Sequence, residues 1–211
     1  WDLTIKTNSK NKRLANDIVA HVYVQDGNAK QVWKGVANET PLYSQKGYWL
    51  YKNKDEAIYS VDEQKKTFMR MSLDQLQMLI GALGGMVKME ILDHTVKSET
   101  LPKETIAGYA CNHVKITTDY TMKIKIAIIK KTFKIHEVKE IWATPDMPGY
   151  GEMHKAFAKK DFRTGIEAID EMIKKEMAQQ KNLGFPLKTI THQVQMNKKG
   201  KVKSETTTTM E

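Results

Sequence analysis

Along most of the chain, apolar and polar residues alternate with a period of two. This is the pattern of strands that bury one face and wet the other. It begins at once with Trp1-Asp2-Leu3-Thr4-Ile5-Lys6-Thr7. Ile18, Ala20, Val22 and Val24 then alternate with Val19, His21, Tyr23 and Gln25, and Asp26-Gly27-Asn28 predicts a hairpin turn into Gln31-Val32-Trp33-Lys34-Gly35-Val36. Tyr48-Trp49-Leu50-Tyr51 and Ala57-Ile58-Tyr59-Ser60-Val61 form the next pair, joined by Lys52-Asn53-Lys54-Asp55. A polar turn from Asp62 to Lys66 leads into Thr67-Phe68-Met69-Arg70-Met71. The result is a meander of short strands.

The period then changes to that of a helix. Ser72 and Gln75 have capping-box spacing, Leu73, Leu76, Ile80, Leu83 and Val87 follow at helical intervals, and Gly84-Gly85 supplies a stop. Strands resume at Met89-Glu90-Ile91-Leu92 and at Tyr109 to Val114. A long pair follows, Thr117 to Ile129 and Phe133 to Trp142, with Lys130-Lys131-Thr132 as the predicted turn. Met122, Ile124, Ile126 and Ile128 share one face of its first arm, and Lys123 and Lys125 take the other. After Pro145 and Pro148 the text is helical again: a short piece around Met153 to Phe157, then a longer helix opened by Thr164 and Glu167. Ile166, Ile169, Ile173 and Met177 form its apolar stripe, and Asn182-Leu183-Gly184 with Pro186 ends it. Two last strands, Leu187 to Met196 and Lys201 to Thr208, flank Asn197-Lys198-Lys199-Gly200. The pattern predicts a mainly β (α+β) single domain over residues 1–211. It has about ten short strands, with helices inserted at about 73–86 and 152–182.

Composition narrows the class. A chain of 211 residues with 40% hydrophobic and 28% charged residues can build a core, and it holds no run of about 18 apolar residues that could form a spanning helix. The formal charge of +9 invites an anionic partner. However, 31 of the 34 basic residues are Lys, and only Arg13, Arg70 and Arg163 offer the planar fork that specific nucleic-acid readers favour. The lysines are spread over turns and wet faces, as on a solvated surface, so no nucleic-acid partner is expected. A single Cys excludes an internal disulfide. The chain starts with Trp in the middle of a strand pattern, as removal of a secretory signal peptide would leave it, or trimming.

Three stretches in order carry a family resemblance. Glu104-Thr105-Ile106-Ala107-Gly108-Tyr109-Ala110-Cys111 resembles the E-x-x-A-G-Y-x-C strand start of an uncharacterised secreted bacterial family, a domain of unknown function. Glu140-Ile141-Trp142-Ala143-Thr144-Pro145-Asp146 and Gly184-Phe185-Pro186-Leu187-Lys188 resemble its later signatures. The likeness runs over about residues 30 to 208. That family looks like a relative of the periplasmic lipoprotein carriers of the LolA/LolB type. The resemblance implies a strongly curved antiparallel sheet, an unclosed half-barrel whose inserted helices cover the concave face, in a periplasmic or secreted protein. It also implies an apolar hollow that takes acyl chains.

In such a hollow the expected lining is Trp33, Trp49, Tyr51, Met69, Met71 and Trp142 from strands, with Leu76, Ile80 and Leu83 from the helix above. Flexible, polarizable Met side chains suit varied acyl shapes. The alternative is that these residues fill a solid core. Met69 with Met71, Met86 with Met89, and Cys111 with His113 carry soft-metal ligand atoms, but none of these groups supplies three ligands locally, so no metal and no cofactor are expected. No nucleophile elbow, zinc-protease helix, P-loop or dinucleotide fingerprint occurs, and the six His are scattered. No catalytic residue and no enzyme activity are expected. The functional expectation is non-enzymatic binding of a lipid or an acylated protein, with a weak, salt-screened contact to an anionic membrane surface. A structural or protein-interaction module of the cell envelope, with a filled core, is the alternative.

Overall fold

In the computed structural model, which describes residues 2–9, 16–36, 47–76, 78–79, 88–126, 128–147, 166–180 and 182–211, the alternating segments pair into one antiparallel sheet. Among the described residues it has eleven strands: β1 (Asp2–Ser9), β2 (Asn16–Gln25), β3 (Asn28–Val36), β4 (Gly47–Lys52), β5 (Ala57–Asp62), β6 (Thr67–Ser72), β7 (Lys88–Ile106), β8 (Tyr109–Ile126), β9 (Ile129–Thr144), β10 (Phe185–Asn197) and β11 (Val202–Met210). Their order is β6-β5-β4-β3-β2-β1-β11-β10-β9-β8-β7. The first and last strands therefore meet in the middle, where Ile5 pairs with Met210 and Thr7 with Thr208. The edges are β6 and β7, which do not pair with each other, so the sheet is unclosed.

Local chemistry sets the register. Asp26 and Gly27 both have positive φ, 51° and 74°, and Gln25 pairs with Asn28 across them. That is the two-residue turn whose twist matches the strands it joins. Between β8 and β9 the turn differs from expectation. Ile126 pairs with Ile129, so the chain reverses between them, and Lys130 lies inside the ladder opposite Lys125. The apolar run from Ile126 to Ile129 hides this reversal, and Ile128 at its tip is 94% exposed rather than on the apolar face. β7 is also longer than its pattern suggests. Its ladder with β8 shifts register between Leu92 and Thr95 and again between Leu101 and Glu104. These irregularities break the alternation, and an edge strand tolerates Pro102 at the second one.

The first capping box forms as expected. The Ser72 backbone N–H donates to Gln75 Oε1 at 2.9 Å, and the Gln75 N–H to Ser72 Oγ at 3.1 Å. Residues 73–76 and 78–79 are helical, while 77 and 80–87, including Ile80 and Leu83, lie outside the described residues. The later helix, α1 (Glu167–Gln179), starts from Ile166, which makes no side-chain cap, so Thr164 is not its N-cap. α1 packs against β7. Ser98 Oγ donates to Gln179 Oε1 at 2.9 Å, and Lys139 reaches Glu176 at 3.5 Å. Met177, assigned to the apolar stripe, is 63% exposed. Residues 148–165, which hold the rest of the helical text, lie outside the described residues.

Residues paired across a ladder share a face of the sheet, as do alternate residues along a strand. Following the registers from β7 to β6 assigns each side chain. One face carries two apolar clusters. Ile18, Ala20 and Trp33, with Ile5 and Trp49 against them, form the first. Val114, Ile116, Ile141 and Ala143, with Val96 and Leu183, form the second. The inner positions of β11 and β10, with the far end of β1, lie between them.

Candidate functional site

A cavity of about 870 Å³ opens on the same face. Leu3, Val22, Ala29, Trp49, Tyr51, Ile58 and Met210 come to it from β1 to β5 and β11, all on that face by register. Ile106, Ala107 and Tyr109 come from the β7–β8 turn, and Phe185, Pro186 and Leu187 from the start of β10. In the sheet order six strands separate β4 from β8. In a flat sheet that would hold them roughly 34 Å apart, at about 4.8 Å per strand. Their meeting at one cavity shows that the sheet curls through a half-barrel, and the cavity-bearing face is the inner one. The walls are apolar with few polar groups, among them Gln31, Asp2, Lys188 and Glu211. Lys188 Nζ pairs with Glu211 Oε1 at 2.6 Å and stands 5.6 Å from the Trp142 ring centre.

The residues expected to line the hollow divide. Trp49 and Tyr51 line the cavity. Trp33 is buried beneath it, edge-on to Trp49 with ring centres 5.9 Å apart. Met69 and Met71, on β6, share the inner face through Ser60 and Ile58, but they lie beyond the cavity wall and Met69 is 57% exposed. Leu76 is half-buried and does not touch it, and Ile80 and Leu83 lie outside the described residues. Trp142 alternates to the outer face, where it stacks on His113 at 4.1 Å. Among the described residues, no cavity-lining side chain belongs to α1 or to 73–79.

Period-two reasoning missed the rest of the lining, Leu3, Val22, Ala29 and Met210 among it, because small or aliphatic strand residues look the same whether they fill a core or line a hollow. A different signal was present. Two of the three resemblance-bearing motifs end at this cavity, Ile106-Ala107-Gly108-Tyr109 in the hairpin turn and Phe185-Pro186-Leu187-Lys188 at the β10 start.

The outer face holds a polar cluster around His113, which is buried. Its Nε2 lies 3.1 Å from Glu140 Oε2, and its Nδ1 is 3.2 Å from Glu104 Oε1 at ion-pair distance but without hydrogen-bond alignment. Cys111, opposite Glu104, is fully buried, and burial pushes its thiol above the usual range, with Glu104 adding to this. A thiol held protonated is a poor nucleophile and a poor soft-metal ligand. Among the described residues no group of three or more His, Cys, Asp or Glu is arranged to hold a metal.

Near α1, burial and then Lys175 hold His94 below its ordinary value. Its ring lies edge-on to Tyr120 at 6.2 Å. Burial, then Glu137 and Glu176, push Tyr120 up to about 12. The folded state thus favours neutral Tyr120. Its contribution is complete below pH 10, the ordinary value, and is lost as pH rises through 12. Discounted for partial exposure, the effect is about 1 kcal/mol. Chemical denaturation from pH 9 to 12 is expected to show this loss in the native chain and not in Tyr120→Phe; parallel curves would disprove it.

Residues 44–211 match the family model described as Domain of unknown function (DUF4412). No curated protein matches the chain. Among solved structures, a chain from Bacteroides fragilis described as "a putative exported protein with YmcC-like fold" matches at 13% identity and a TM-score of 0.24. The match covers 97% of this chain and 92% of that one.

Proposed function

The chain belongs to the DUF4412 family, a domain of unknown function, and from that premise we propose that it binds a hydrophobic or lipidated ligand, without catalysing a reaction, in the hollow of its half-barrel. The cavity of about 870 Å³ with apolar walls carries this reading. Its size falls in the range of small-molecule sites, and its aliphatic and aromatic lining offers an acyl chain burial worth about 0.8 kcal/mol per methylene. The unclosed, curled sheet supports the relation to periplasmic lipoprotein carriers that the three motifs imply, and with it a place in the periplasm or outside the cell. Exposed lysines such as Lys125, Lys130 and Lys131 on the β8–β9 arm would add a weak attraction to anionic headgroups, one that salt screens.

A fluorescent fatty-acid probe and native mass spectrometry of protein purified from its own host test the proposal. Saturable one-to-one uptake, with a native mass above that of the bare chain, is the expected result. A bare-chain mass with no uptake would overturn it and leave the alternative, an envelope interaction module. That alternative has its own support in the β6 edge, where Phe68 is 67% exposed beside Met69.

A further inference from the structure

The hairpin of β8 and β9 projects from the sheet. β10 ends at Asn197, opposite Phe133 of β9, whereas β9 begins four residues earlier, at Ile129. At about 3.3 Å per residue the arm reaches about 13 Å beyond its neighbour. At its apex Ile128 is 94% exposed. A single exposed isoleucine is ordinary on a protein surface. Its surroundings here are not.

Residues 121–134 contain five lysines and no acid. Lys123 is held by Glu90 at 3.5 Å. Lys125 and Lys130 stand directly opposite each other on the outer face, both exposed, and like charges so placed in a ladder cost stability. Lys131 is exposed on the other side of the arm. The β10–β11 turn lies at this end of the sheet too, because Asn197 pairs with Phe133. It adds exposed Lys198, Lys199 and Lys201, and residues 197–204 contain no acid. Two turns distant in sequence thus build one basic surface around an apolar apex.

Resting on the headgroup contact proposed above, we infer that this apex docks on an anionic lipid bilayer. Ile128 inserts at the membrane interface, and the lysines around it lie on the headgroups, which relieve the repulsion between Lys125 and Lys130. Salt screens the lysine part of such a contact but not the burial of Ile128. A nucleic acid would also meet the lysines. However, residues 121–134 hold no Arg to read it, and its phosphates offer Ile128 no apolar medium. The apex is remote from the cavity. β8 starts at Tyr109 in the cavity wall and ends at Ile126 beside the apex, so some 50 Å of strand separates the two.

Sedimentation with vesicles of phosphatidylcholine alone, and of equal parts phosphatidylcholine and phosphatidylglycerol, tests the docking. The full chain is expected to bind the mixed vesicles and not the neutral ones. Each lysine at an anionic surface is worth roughly fivefold in affinity. Lys125→Gln with Lys130→Gln is therefore expected to weaken binding by about twentyfold at low salt and to flatten its salt dependence. Ile128→Ser is expected to weaken it by about tenfold at every salt concentration. At 94% exposure Ile128 has almost no packing to lose, so this variant keeps its fold. Native-like binding by Ile128→Ser would overturn the insertion. Equal binding to neutral vesicles, or capture of a DNA duplex in place of the mixed vesicles, would overturn the bilayer assignment. A fatty-acid probe added without vesicles keeps the cavity separate: native uptake by Ile128→Ser is expected, because the apex takes no part in it. A chain that docks but takes up no probe would lose the ligand reading and keep the docking.

Discussion

Gly184→Ala is expected to lower the unfolding free energy by about 3 kcal/mol, far more than a glycine-to-alanine change at an ordinary turn. Gly184 has φ +98°, a backbone conformation that L residues rarely adopt. A Cβ there would stand 2.2 Å from Thr144 O and 2.6 Å from Pro145 N, both backbone atoms. No rotamer change can relieve such a contact. Either β10 moves off β9 at the Phe185–Thr144 pair, or the chain between Leu183 and Phe185 changes course. Leu183 packs on the second inner cluster and Phe185 lines the cavity, so either response disturbs both. Gly200 provides the control. Its φ is +80°, but nothing lies within 4 Å of its Cβ position, so Gly200→Ala carries only the conformational cost, about 1 kcal/mol. Denaturant titration of the two variants separates the terms. Equal losses would show that the β9–β10 approach at Gly184 contributes nothing.

The contrast between these glycines also marks what the amino-acid pattern could convey. Local rules were fully legible. The Ser72–Gln75 box and the Asp26-Gly27 turn form as their side chains and dihedrals require, because each depends on residues within three positions of one another. Alternation identified the inner face of β2 through Ile18, Ala20 and Val22 for the same reason. It failed where the period was disguised. The isoleucine-rich run at 126–129 concealed a reversal, and two register shifts in β7 concealed a strand of nineteen residues.

The site was legible only in part, because a cavity is a property of curvature. Trp49 and Tyr51 could be placed on a strand face, but their nearness to Ala107 and Phe185 depends on how far the sheet curls. No local pattern encodes that angle. Trp142 shows the limit from the other side. Its apolar setting gave no parity with Trp33, and only the ladder through β10, β11 and β1 reveals that the two tryptophans occupy opposite faces. The inner face of β11 was hidden differently. In Glu205-Thr206-Thr207-Thr208-Thr209 every position has the same side chain after the first, so alternation has nothing to report, and the facing pair Thr208 and Thr191 emerges only with the register.

Ala29→Trp should shorten the acyl chain that the protein prefers. Ala29 lies on β3, opposite Tyr51 of β4 and Val24 of β2, and its methyl faces the cavity. An indole at this position projects into existing space rather than into packed core, so the fold is expected to tolerate it and the melting temperature to change little. The space it takes is lost to the ligand. Displacing about four methylenes, each worth about 0.8 kcal/mol of burial, lowers the affinity for a sixteen-carbon chain by at least about a hundredfold. A shorter chain, which leaves the region of Ala29 empty, is expected to bind within about threefold of its original affinity. The chain-length profile is therefore the decisive measurement. A damaged fold would weaken every length alike, whereas an occupied cavity selects against long chains alone. An unchanged profile would mean that the acyl chain lies elsewhere, and that the hollow beside Trp49 and Tyr51 is not its site.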